Sequence, residues 1–220
     1  ILYAYPSLVT EELIETVASC EKVCHYLDMP LQHVSDRILK SMRRGTTRES
    51  TRQLLGKLRE RIPDLAIRTT FIAGYPGESE KEFGELLDFM AEARFERLGI
   101  FTYYREEGSL AASLPGQVPE KVKAKRLERG MVLQQKISQE NNRRLLGGTL
   151  EILVEEKGEK SGEWIGRTYQ DAPEVDGTVS FLVDPEFRGV RIRPGEFVKV
   201  KITDTCEYDL TGELASSVNA

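Results

Sequence analysis

Cysteine is scarce in this sequence: Cys20, Cys24 and Cys206 are the only three among 220 residues. Three thiols cannot build a disulfide framework, so the core has to hold the fold, and a reducing cytoplasm is the expected setting. Also missing is any run approaching the roughly 20 apolar residues of a membrane span. Residues 1–6 have neither the basic start nor the small-residue cleavage site of a signal peptide. Positive charge is short as well, with a formal net charge of −5. From Gly147 onward there are 15 acidic and 8 basic residues, a net of −7 that leaves +2 for the rest of the chain. An acidic C-terminal third is a poor partner for a phosphate backbone and suits a basic protein better.

What remains is an ordinary globular composition, 40 % hydrophobic and 30 % charged, in a chain long enough to bury its own core. Ile1 to Tyr5 read as a buried strand that ends at Pro6, and a chain opening inside a strand without an initiator Met is expected to lack upstream sequence. Thr10 caps a helix that carries Leu13, Ile14, Val17 and Ala18 at helical spacing. A second strand covers 25–29, and helices follow over 36–44 and 47–61. The β-rich run 65–73 leads into Gly74-Tyr75-Pro76-Gly77. Ser79 with Glu82 forms a capping box for the next helix, and 97–104 is the last strand of the series. Strands alternating with helices imply a parallel sheet, and four strands with no return imply an open half-barrel or a small doubly wound sheet.

Pro115-Gly116 marks a break, and a long charged helix follows over about 120–146, stopped by Gly147-Gly148. Its apolar positions are Val122, Leu127, Met131, Ile137 and Leu145. Beyond it the pattern is all-β, with short strands at 149–154, 164–168, 179–183, 197–202 and 208–210, which suits a small OB-like barrel. The predicted organisation is therefore 1–116 as an α/β domain, 117–147 as a linking helix and 148–220 as a β-barrel.

In parallel α/β folds, function gathers where strands end. After the second strand, Gln32 offers an amide that can reach ribose hydroxyls without carrying charge. His33 reads as a structural hydrogen-bonding residue. Arg68 lies in a strand otherwise reading as buried and needs an anion, either a neighbouring acid or a ligand carboxylate. Gly74 and Gly77 are turn residues or a backbone that a flat nucleoside approaches closely. Cys20 and Cys24 have the first spacing of a Cys-x3-Cys-x2-Cys cluster motif, but Leu27 stands at the third position, so they read as structural.

Several long strings carry a family resemblance. Asp28-Met29-Pro30-Leu31-Gln32-His33, on through Arg43-Arg44-Gly45, resembles the fourth-strand region of the radical S-adenosylmethionine (SAM) methylthiotransferases. Arg68-Thr69-Thr70-Phe71-Ile72-Ala73-Gly74-Tyr75-Pro76-Gly77-Glu78 is similar to the fifth, and Leu98 to Tyr103 with Arg105-Glu106-Glu107-Gly108 to the sixth. Gly166-Arg167-Thr168 and Asp171 to Gly177 resemble the TRAM domain of that family. The resemblance implies the C-terminal half of a radical SAM partial TIM barrel, a (β/α) fold, followed by an OB-like TRAM barrel.

It also implies chemistry. A cluster-bound SAM is reduced to a 5′-deoxyadenosyl radical, which takes hydrogen from the β-carbon of an aspartate, while a second cluster supplies sulfur and another SAM the methyl group. Carried over by position, Gln32 contacts ribose or methionine and Arg68 pairs the carboxylate. Gly74 is adenine-side backbone, Thr70 lines the site and Tyr103 walls the cavity. The ligands of both 4Fe-4S clusters, the N-terminal cluster domain and the first barrel strands would lie outside these residues, so this part is expected to be inactive alone.

The implied substrate is a basic small-subunit ribosomal protein met by the acidic TRAM domain. The tRNA-modifying branch usually has Ser-Gly-Ser where this chain has Gln32-His33-Val34-Ser35, and an acid where Thr70 stands. A basic stripe from Arg167, Arg188, Arg191, Arg193, Lys199 and Lys201 would favour that branch. A third reading is a non-catalytic binding module.

Overall fold

The computed structural model describes residues 1–183 and 191–217, and Arg188 lies outside them. The chain divides into two compact units, Ile1–Ile137 and Ser138–Ala220. In the first, a three-stranded parallel sheet in the order β1-β2-β3 is built from β1 (Tyr26–Asp28), β2 (Ala66–Ala73) and β3 (Arg97–Thr102). Helix α1 (Glu11–Ser19) precedes β1, helices α2 (Asp36–Ser41), α3 (Arg48–Arg61) and α4 (Glu80–Ala93) connect the strands, and α5 (Glu120–Arg143) comes after β3.

The helix starts follow the capping residues. Thr10, Ser35, Thr47 and Ser79 each accept a backbone N–H of the first turn, and Thr47 and Ser79 complete capping boxes. In β2, Ile67, Thr69, Phe71 and Ala73 are buried while Arg68, Thr70 and Ile72 are only half-buried, so the strand has one packed face and one open face. The packed face joins a core with Ile14, Met29, Leu58, Phe83, Phe89 and Phe95.

Two expectations need correction. Ile1 to Tyr5 do not form a strand, and Ile1, Leu2 and Tyr3 are exposed. The segment begins a ladder beside β1, with Asp28 N–H donating to Ile1 O and Ala4 N–H to Asp28 O, but Tyr3 at φ 58° breaks the extended repeat between them. The sheet thus has three strands. The helix expected over 36–44 closes at Ser41, with Arg43 left-handed at φ 56° just beyond it.

In the second unit, β4 (Thr149–Lys157), β5 (Glu163–Arg167), β6 (Val179–Leu182), β8 (Leu210–Ser217) and β7 (Phe197–Thr205) close a barrel in that order. Closure leaves no unpaired edge. Its core holds Ile152, Val154, Val179, Phe181, Val198, Val200, Ile202, Leu210 and Leu214. The last strand is longer than the predicted 208–210, because Gly212 fills an inward position between Leu210 and Leu214 where an apolar alternation would need a larger residue.

The barrel's alternation has a direct test. Phe181 is fully buried, whereas Phe197 is 47 % exposed on the outer face. Phe181→Ala should destabilise the barrel by about 3–5 kcal/mol and Phe197→Ala by less than about 1 kcal/mol. Urea unfolding followed by fluorescence of Trp164, the chain's sole tryptophan and the β5 partner of Phe181, reads both.

Candidate cofactor site at the end of the sheet

The register of the sheet sets the open face. Asp28 of β1 stands beside Arg68 of β2, which stands beside Arg97 of β3, and Thr70 and Ile72 face Gly99 and Phe101. Arg68 Nη1 donates to Asp28 Oδ1 at 3.3 Å, and its side chain stays 19 % exposed. The neighbouring acid anticipated for it is therefore Asp28, which is almost wholly buried and needs such a donor.

Gln32 extends the same edge. With φ at 70° it takes the left-handed conformation, yet its N–H donates to Thr70 O and its carbonyl accepts from Ile72 N–H, both at 2.8 Å. A non-glycine residue held there by two backbone bonds is strained backbone that the fold maintains. Gln32, Arg68 and Thr70 are thus brought together along 68–72 of β2, each half-buried beside the open face.

Gly74 and Tyr103 fall in a second group just beyond. Tyr103 N–H donates to Ala73 O, extending the β2–β3 ladder, and its ring meets that of Tyr75 edge-on at 5.5 Å. The two tyrosines pack with Ile38, and the Tyr103 hydroxyl is buried with no hydrogen-bond partner among the described residues. Gly74 has a packing role set by its neighbour. At φ 80°, a Cβ on Gly74 would sit 2.4 Å from Lys123 Cγ, so the missing side chain makes room for α5. Gly77, at φ 78°, is an exposed turn residue.

Four buried charged or polar residues tie these loops together, and hydrophobic periodicity did not single out three of them. Glu78 Oε2 accepts the backbone N–H groups of Gly74 and Tyr75. Its Oε1 lies 3.5 Å from Arg126 Nη1 and 3.9 Å from His33 Nε2. His33 Nδ1 accepts from Ser35 N–H at 2.9 Å, which places the neutral ring's proton on Nε2, toward Glu78. Lys123, on α5, donates to Tyr103 O at 2.8 Å. The signal that could have found Lys123 and Arg126 is their spacing with Gly130 and Gln134, a buried stripe at helical intervals made of residues that are not apolar.

Cys20 caps the C-terminus of α1, and Cys24 is exposed. Among the described residues no group of three His, Cys, Asp or Glu side chains could hold a metal ion. Leu27, where a third cluster ligand would follow Cys20 and Cys24, is buried in the core. The donor set for a radical SAM cluster therefore does not exist among the described residues.

Comparison with known proteins bears on the same surfaces. Residues 2–90 match the sequence model of the radical SAM superfamily, and residues 146–215 match that of the TRAM domain. The ribosomal protein uS12 methylthiotransferase RimO of Pelotomaculum thermopropionicum is 51 % identical over 97 % of this chain and 47 % of its own length. The RimO of Heliobacterium modesticaldum is 51 % identical over 97 % of this chain and 45 % of its own. The chain spans about half the length of the curated relatives it matches. Among solved structures, the radical SAM enzyme coproporphyrinogen III oxidase (HemN) of Escherichia coli superposes with a TM-score of 0.52 at 19 % identity, over 61 % of this chain and 31 % of that one. That likeness shows the fold.

Glu82 braces the far side of the same loops. Its carboxylate accepts from Arg37, Ser79 and Ser35 and so joins the starts of α2 and α4. Burial pushes this carboxyl up, but those donors outweigh it and hold it well below the ordinary 4.5. A depressed folded-state pKa stabilises above the unfolded value and is lost as pH falls. Glu82→Gln should cost about 1.5–3 kcal/mol at neutral pH. The deficit should shrink as acid unfolding is followed below about pH 4.5, the carboxyl's ordinary value.

Proposed function

From a chain that belongs to the radical SAM methylthiotransferase family, we infer the C-terminal part of an enzyme that methylthiolates the β-carbon of an aspartate in ribosomal protein uS12. The observation that carries this reading is the assembly of Gln32, Arg68 and Thr70 along the open face of β2 in a parallel sheet, within a sequence half identical to RimO proteins. SAM, when bound, supplies radical chemistry and a methyl group. The residues of this chain would hold it. The Gln32 amide offers both a donor and an acceptor to hydroxyls, and the partly exposed Arg68 guanidinium, oriented by Asp28, would meet a carboxylate. Thr70 lines the same face. Among the described residues no group of three His, Cys, Asp or Glu side chains could ligate an iron–sulfur cluster.

The choice of uS12 over tRNA is supported by the barrel's cross-strand pairs. Lys199 stands opposite Glu151 on β4, and Lys201 opposite Glu213 on β8. Arg167 Nε donates to Glu155 Oε1 at 2.8 Å. Each of these basic residues is matched by an acid on a neighbouring strand, which breaks up the stripe a phosphate backbone needs. The surplus acid suits a basic protein. Among the described residues no helix is long and apolar enough to cross a membrane. The TRAM domain at 148–220 would present the protein substrate.

Two measurements test this. In the complete gene product with its clusters reconstituted, Gln32→Ala and Arg68→Ala should each raise the SAM dissociation constant about tenfold, the size of one hydrogen bond to a charged group. Unchanged affinity in both would sink the site assignment. Binding of tRNA should be weak and uS12 should be modified; tight, salt-sensitive tRNA binding with no modification of uS12 would favour the tRNA branch.

A further inference from the structure

Helix α5 reads from sequence as a connector, yet its first turns face the end of the sheet with charge. Lys123 and Arg126 are 3 % and 5 % exposed. Burying two cations is costly, and apolar residues of similar volume would hold a helix in place at lower cost. What the cations add is direction. The Lys123 stem occupies the volume left by Gly74, and its ammonium donates to Tyr103 O at 2.8 Å and to Glu120 Oε1 at 2.6 Å. The same ammonium lies 5.2 Å from the centre of the Tyr103 ring. One side chain therefore touches the ends of β2 and β3 together.

Arg126, one turn on, donates to Glu78 O at 3.2 Å and faces Glu78 Oε1 at 3.5 Å. That carboxylate is the group that binds the Gly74 and Tyr75 N–H groups. The loop 74–78 is thus gripped from inside by Glu78 and from above by two cations of α5.

We propose that Lys123 and Arg126 are positioning residues for the SAM-facing end of the sheet, setting the loop 74–78 and Tyr103 without touching the cofactor. The proposal rests on the reading of this edge as the SAM site. Their hydrogen bonds run to Tyr103, Glu120 and Glu78. Their effect passes through the backbone of Gly74 and the carbonyl of Tyr103.

The test uses the complete gene product with clusters reconstituted, comparing wild type with Lys123→Met, which keeps the stem and removes the ammonium, and with Arg126→Met. SAM affinity is measured by calorimetry, and backbone exchange over 70–79 by mass spectrometry. Both variants should bind SAM about tenfold more weakly, the loss expected when a displaced loop forfeits one hydrogen bond to the cofactor. Amide exchange at Gly74 and Tyr75 should accelerate, while that of the barrel strands stays unchanged. Arg126→Lys, which restores the charge, should recover part of the affinity. Wild-type affinity in both Met variants, with or without faster loop exchange, would overturn the proposal and leave the cations a purely stabilising role. If neither Met variant folds, Glu120→Gln replaces them, since Glu120 is exposed and frees only the tip of Lys123. A two- to threefold weakening of SAM binding supports the proposal, and unchanged binding overturns it. A wild-type protein that binds no SAM would defeat the cofactor reading itself, a result distinct from equal binding by wild type and variants.

Discussion

A carboxylate removed from water has to be surrounded by donors, and the upper edge of the sheet is organised by how the chain meets that demand at Glu78. The residue lies four positions beyond Gly74, close enough to turn back and accept two consecutive backbone N–H groups. That local closure requires the left-handed Gly74, which in turn leaves the hollow that Lys123 fills. The remaining oxygen faces a guanidinium from α5 and the imidazole of His33 from the loop after β1. Three segments far apart in sequence are thus gathered around one side chain.

The open face owes its character to the same demand. Arg68 would be a liability on a strand with an apolar back, but Asp28 stands in register with it and each makes the other tolerable. Because Asp28 is sequestered and Arg68 is not, the pair presents positive rather than negative character outward. Gln32, forced left-handed beside Thr70, adds a neutral amide to that surface. Together they form a polar strip along β2, and beyond its end the rings of Tyr75 and Tyr103 pack edge to face.

Much of this was legible in the sequence, because capping and alternation are local. Thr10, Ser79 and Glu82 announced their helices through hydrogen bonds made within one turn. The barrel was readable from Ile152 and Val154 or Val198 and Val200, which alternate inward by strand geometry alone. Ile1 to Tyr5 misled because their apolar run was right for a strand while Tyr3 adopts a backbone angle that no propensity scale anticipates. At the candidate site, Gln32, Arg68, Thr70, Gly74 and Tyr103 were singled out by a motif and by the strand–loop pattern, and the fold gathers the first three along one face of β2. Glu78, Lys123 and Arg126 escaped because hydrophobic periodicity looks for an apolar stripe, and the stripe α5 buries is Lys123, Arg126, Gly130 and Gln134. Gly130 was the clue, since a side chain there would collide with Ile100.

That polar stripe bears on how such proteins can be recombined. A barrel module exchanged between relatives at the Pro115-Gly116 break would carry a foreign α5 with it, and the recipient sheet would meet a helix whose cations were selected against another loop. The compatible seam lies further along, near Ile137, where the first compact unit ends. Lineages that traded these C-terminal modules would be expected to keep the first half of the helix with the sheet it grips and to vary only the segment beyond that seam.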